Sequence, residues 1–199
     1  MQATERAVAP LPPAPGADRY LSVDFADTAT TLPGGNAYDV LAAPDSAMSW
    51  LAGHDLTPPD VRVYDTCAHR MRTLRRHVRA LFAARVEGHV PPERSVRALN
   101  EALTRVPTAP LLAWDAAQGP HRAPAHPTDQ AVNHALATLA ADAADLLTGP
   151  DADRLAACGA APCDRFLVRT HGRRHWCSTR CGDRVRAARA RRSTATSDT

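Results

Sequence analysis

The 199 residues leave room for one ordinary domain and a small appendage, and a hydrophobic fraction of 44% excludes a chain that is disordered throughout. The formal net charge of +3 conceals an asymmetry: the balance is −5 up to Asp153 and +8 from Arg154 onward, where 11 arginines face three aspartates. An acidic body with a basic tail points to a tail that meets a polyanion and a body with another task.

Residues 1–18 are rich in Pro and Ala, with PLPPAP at their centre, a composition that predicts a flexible lead-in. Nothing there has the basic start and apolar middle of a secretory signal. No apolar run in the chain is long enough for a bilayer. The expectation is a cytoplasmic protein, associated with the nucleoid when bound to DNA, with no membrane partner. Residues 19–150 read as one mainly helical domain. Leu21, Val23 and Phe25 alternate with polar or small neighbours, the period of a half-buried strand, and Pro33 to Gly35 break it. A short helix follows with Asp45 as N-cap. The longest helix is expected over about Pro59 to Glu87. Val63, Cys67, Met71, Leu74, Val78, Leu81 and Phe82 form its apolar stripe, Arg72, Arg75, Arg76 and Arg79 lie opposite, and Gly88 is the stop.

Pro92 to Val106 predicts a further helix with Val96, Leu99 and Leu103 inward. Ala109 to Trp114 reads as a short strand and Gly119 to Pro127 as a loop. Thr128 to Leu147 is an alanine-rich helix capped at Thr128 or Asp129. Gly149 and Pro150 end it and mark the boundary to residues 151–192.

That last segment carries the chemistry. Cys158 and Cys163 form one close pair, Cys177 and Cys181 the other. Two turn-borne thiolate pairs joined by a hairpin supply the tetrahedral set that zinc requires, one ion per chain. The same four thiols suit an iron–sulfur cluster, and two disulfides or free thiols are the remaining alternatives. His171 and His175 stand near enough to serve as ligands, but four thiols already complete the set. The expected order is a knuckle at Cys158 and a strand from Phe166. Arg173 to Trp176 should return as its partner, and a helix should carry the second cysteine pair through Arg192. Residues 193–199 read as a disordered tail. Arg173, Arg174, Arg180, Arg184, Arg186, Arg189, Arg191 and Arg192 form the candidate nucleic-acid surface, with double-stranded DNA as the expected partner and RNA or an acidic protein as alternatives. The first three would also offset the charge of the thiolates.

Asp24, Asp27 and Thr28 form a weaker candidate, a polar cluster for a small ligand; the alternative is a solvent face with turn residues. His121, His126 and His134 share no face, and Cys67 sits on an apolar stripe as a core residue. No phosphate loop, GxSxG or HExxH pattern occurs, so catalysis is not expected.

Around the four cysteines the chain resembles the CGNR zinc-finger family of bacterial proteins. The resemblance lies in Cys158-x₄-Cys163, the strand Phe166-Leu-Val, the run from Gly172 to Ser178, and Cys181-Gly-Asp-Arg184 followed by arginines. The preceding part is similar to the ABATE domain that accompanies this finger, at Leu21 to Thr28, Trp50-Leu51, Ala98 to Asn100 and Asp145 to Thr148. The resemblance implies a zinc-binding, DNA-binding transcription regulator that responds to stress. Two departures stand out: Asp183 replaces the Asn of the family's motif, and the Cys177–Cys181 gap is one residue shorter than its commoner form. The expected architecture is α+β: a mainly helical N-terminal domain with a few short strands, then a treble-clef-like zinc finger of β-hairpin and helix. The N-terminal domain would sense a small-molecule effector or form a homodimer. The alternatives are a zinc-stapled protein-interaction module and an iron–sulfur redox sensor.

Overall fold

The computed structural model describes residues 11–32, 35–58, 61–106, 111–123 and 130–197. The elements in chain order are α1 (Leu21–Asp27), β1 (Ala29–Thr31), β2 (Ala37–Asp39), α2 (Pro44–Gly53), α3 (Asp65–Glu87), α4 (Glu93–Thr104), β3 (Leu111–Asp115), β4 (Gly119–Ala123), α5 (Ala131–Thr148), β5 (Leu155–Ala157), β6 (Phe166–Val168) and α6 (Thr179–Ser197). The α+β expectation is met: six helices with small antiparallel strand pairs, β1–β2, β3–β4 and β5–β6.

Helix α3 is the axis. Its apolar stripe buries Met71, Leu74, Val78, Leu81 and Phe82, and α1, α2, α4 and α5 pack around it. Gly88 closes it in the left-handed conformation at φ 72°, as its place after the stripe predicts. The start differs from expectation: the helix begins at Asp65, and Pro59 and Asp60 lie outside the described residues. Helix α5 buries ten side chains, including Leu136, Leu139 and Leu146. Its expected caps, Thr128 and Asp129, lie outside the described residues. On α4, Leu99 is buried as expected but Val96 is 40% exposed.

Three strand assignments change. The stretch predicted as a strand from Leu21 is helix α1, and only Ala29–Thr31 is extended, paired in antiparallel register with β2. The alternation misleads because α1 is wedged against α3, α5 and β6. Its first amides, of Leu21 and Ser22, donate to the Asp142 carboxylate on α5 at 3.2 and 2.7 Å, a cap that no local motif announces. The expected loop from Gly119 contains β4, which pairs with β3 from Leu111↔Ala123 to Asp115↔Gly119. Residues 124–127 lie outside the description. The partner of β6 is β5, just before the first cysteine, rather than the irregular segment 173–176.

Residues 11–18 and 193–197 are more ordered than composition suggests. Within the lead-in, Ala14 is buried and the Pro15 carbonyl accepts from Val168 N–H at 2.8 Å, which ties the lead-in to β6; residues 1–10 lie outside the description. At the other end α6 continues through Ser197 where a disordered tail was expected. Residues 198–199 lie outside the description.

One apolar cluster runs from Val23 and Leu51 through Phe82 and Leu139 to Leu167, and Cys158, Cys177 and Cys181 sit at its end. The cysteine-bearing segment therefore shares a core with the helical domain.

Candidate metal centre

The four cysteine sulfurs lie within 4.8 Å of one another. Cys158 directly follows β5, and its N–H bonds to Arg165 O at 2.8 Å, closing the β5–β6 hairpin around the knuckle. Inside the knuckle Cys163 N–H bonds to Ala160 O at 2.9 Å, and the Ala161–Pro162 peptide is cis. Cys177 precedes α6 and Cys181 lies in its first turn. Ser178 is the cap: its hydroxyl oxygen accepts from Cys181 N–H at 3.2 Å. The second pair thus sits at the root of the last helix, and a bridge of Gly159 N–H to His175 O at 2.9 Å ties that root to the knuckle.

The spacing fits a single tetrahedral ion. Bonds of about 2.3 Å place sulfurs about 3.8 Å apart along a tetrahedron's edge; Cys163 and Cys177 are 3.7 Å apart, Cys177 and Cys181 3.6 Å. Cys67, on α3, takes no part and packs beside the apolar core. His171 and His175 are not among the clustered ligand atoms.

The thiols are electrostatically interdependent. Hydrogen bonds from Cys163 and Cys177, with the Cys177 N–H at 3.4 Å, pull the Cys158 thiol down to about 2. The same pairing pushes Cys163 up to about 12 and raises Cys177 further. One thiolate settled in the cluster makes the next costly, a conflict that a bound divalent cation resolves. Arg184 adds local positive charge: its guanidinium lies 3.8 Å from Cys181 Sγ and also donates to Ala160 O.

The cluster is anchored to the helical domain by two residues that the sequence did not single out, Asp164 and Arg165. Arg165 is buried, donating from Nε to Asp27 Oδ2 at 3.0 Å and from a terminal nitrogen to Pro12 O at 2.9 Å. Asp27 Oδ1 accepts from Phe166 N–H at 2.8 Å. Burial pushes the Asp27 carboxyl up to about 7, against the pull of Arg165, the Phe166 amide and Arg79. Asp164 accepts from the Thr30 hydroxyl at 2.7 Å, Thr31 N–H at 2.9 Å and Arg79 at 3.0 Å. Arg79 was expected on the face opposite the apolar stripe; it lies across the Phe166 ring, 5.2 Å from its centroid. Arg75 also turns inward, forming a bidentate pair with Asp39 at 2.6 and 2.7 Å.

The weaker expected cluster separates by role. Thr28 donates to Phe25 O at 2.7 Å and accepts from Arg75, closing α1. Asp27 belongs to the anchor. Asp24 accepts from Trp50 Nε1 and faces His54 Nε2, both at 3.1 Å. All three nonetheless border one cavity.

The basic set divides likewise. Arg184 faces the sulfurs, and Arg174 Nε donates to Trp176 O at 3.1 Å. Arg173 and Arg180 are exposed. Arg186 pairs with Asp183 one turn earlier and covers the Trp176 ring at 6.0 Å, so the carboxylate that departs from the family motif is matched within its own helix. From Arg189 to Ser193 every residue is exposed, including Arg191 and Arg192, because α6 runs past the body that buries its root.

Residues 20–150 match the model of the ABATE family, described as "Putative stress-induced transcription regulator", and residues 154–193 match the CGNR zinc-finger model. A comparison with curated proteins gives no match. No helix among the described residues is long and apolar enough to cross a membrane.

Proposed function

The chain belongs to the ABATE family and carries a CGNR zinc finger, and from that premise we propose that it is a zinc-dependent regulator that grips double-stranded DNA with its last helix. One observation carries this reading: α6 is gripped at its root by Cys177 and Cys181, while its far turns present Arg189, Arg191 and Arg192 to solvent. A helix of 19 residues is about 28 Å long, enough to lie along a major groove and neutralise phosphates on both sides. Zinc is the ion that suits the site, because four thiolates around one centre stand closer together than those bound to separate irons of a cluster. The N-terminal domain is then the sensing or dimerising half, and the protein acts by binding rather than catalysis, in the cytoplasm and on the nucleoid.

The test is fluorescence anisotropy with labelled duplex DNA over a salt series, on protein whose metal has been quantified. The expected result is one zinc per chain, a colourless solution and affinity that falls steeply with salt. Replacing Arg189, Arg191 and Arg192 together by Ala is expected to weaken binding at least tenfold and to flatten the salt slope by about two to three, near one per lost phosphate contact. No binding by the metal-loaded wild type at low ionic strength defeats the proposal. Binding unchanged in the triple variant moves the contact away from α6.

A further inference from the structure

A cavity of about 470 Å³ lies at the seam between the two halves, in contact with Arg165 from the metal-binding half and with α1, α2 and β2 from the other. Its size falls in the range of small-molecule sites. Three features define what it would hold.

The first is a prepositioned acceptor. Asp24 is fixed through one oxygen only: Oδ2 accepts from the Trp50 indole N–H at 3.1 Å and stands 3.1 Å from His54 Nε2. His54 in turn sets its Nδ1 2.8 Å from the Trp50 carbonyl oxygen, so both ring nitrogens face acceptors, an arrangement that favours the protonated ring. The other carboxylate oxygen, Oδ1, has no hydrogen-bond partner among the described residues. The second feature is charge balance. Each acidic side chain of the lining already faces a basic one, Asp24 with His54 and Asp27 with Arg165. A charged ligand would bring a charge with nothing left to match it, at the desolvation cost of an unpaired ion. The third is shape and polarity. Trp50, Tyr38, Val40, Pro12 and Pro13 supply flat, largely apolar walls.

We infer that this cavity binds a small, uncharged aromatic molecule with one N–H or O–H donor, of the indole or phenol class, its donor on Asp24 Oδ1 and its ring between the aromatic and proline walls. The inference rests on the N-terminal half being the sensing half, and it supplies that half's ligand class. Because Arg165 borders the same cavity and follows the ligand Cys163 by two residues, an occupant touches the metal-binding half directly.

The experiment uses the full, metal-loaded chain without DNA. Calorimetry and saturation-transfer NMR measure the binding of indole and 4-ethylphenol, with tryptamine and indole-3-acetate as charged counterparts. The neutral probes are expected to bind at least tenfold more tightly than the charged ones. Val40→Phe, which fills the cavity, is expected to abolish binding; Asp24→Asn is expected to weaken it at least fivefold with metal content unchanged. Should Val40→Phe not fold, Asp24→Asn and the charge comparison decide alone. Failure of the neutral probes to bind, equal binding of the charged ones, or affinity unaltered in Asp24→Asn overturns the inference. Any of these leaves the reading of α6 as a DNA-binding helix standing, since no DNA enters the measurement.

Discussion

His54 shows how a single side chain reports its surroundings. Its interaction with the Asp24 carboxylate raises its pKa above the ordinary 6.5, against the opposing effect of partial burial, and Asp24 itself stays ionised because His54 and Trp50 hold its pKa low against desolvation. A raised histidine pKa contributes stability in full below the unfolded value and loses it as pH climbs through the folded one. Comparing wild type with His54→Gln in urea should therefore give a gap of about 1 kcal/mol near pH 5.5 that shrinks steadily towards pH 9. A gap that widens with pH would show that the imidazole is neutral in the fold. At this scale the sequence was uneven as a guide. The four cysteines were legible because a thiolate pair at short spacing has few uses other than metal binding. The pairing of Arg165 with Asp27 was not, because a charged residue declares its role only through a partner, and here the partner is 138 positions away.

Elements follow the same division. Helix α3 could be read from its stripe and its terminal glycine because both signals are local. Helix α1 could not, since its seven residues are capped by Asp142 from another helix and its alternation matched a strand equally well. The pairing of β6 with β5 was missed for a related reason: two three-residue strands carry too little pattern to choose between partners before and after them. The lead-in offers a direct test of how tightly such elements are fitted. Gly16 has φ +88°, and a Cβ there would stand 2.6 Å from Val168 Cβ. Gly16→Ala should cost roughly 1–3 kcal/mol in chemical denaturation, combining left-handed strain with a clash against β6. Gly53→Ala, at the end of α2 with nothing within 4 Å of its added Cβ, should be neutral or slightly stabilising. Equal effects at the two positions would mean that residues 11–18 do not pack on β6 in solution.

For the molecule as a whole, the charge asymmetry was legible and the seam was not. The basic segment reads in sequence as an appendage, yet Asp27–Arg165, the Asp164 contacts and the edge-on stack of Phe82 on Phe166 at 5.5 Å fasten it to the helical domain. Such fastening couples metal binding to distant stability. The apparent free energy of structural zinc, about 10–16 kcal/mol in isolated finger peptides, would then be felt partly by the N-terminal half. Of the three tryptophans, Trp50 alone reports on that half if Trp114→Phe and Trp176→Phe are introduced. In this background, stripping the metal with a chelator should lower the Trp50 melting transition by roughly 10 °C or more, together with the loss of helical signal. Asp164→Ala should then loosen the link, so that the Trp50 transition shifts less on metal removal while the loss of α6 helicity persists. A Trp50 transition at one temperature with and without metal, in the otherwise native chain, would mean that the ion fixes only the direction of α6 and that the two halves melt independently.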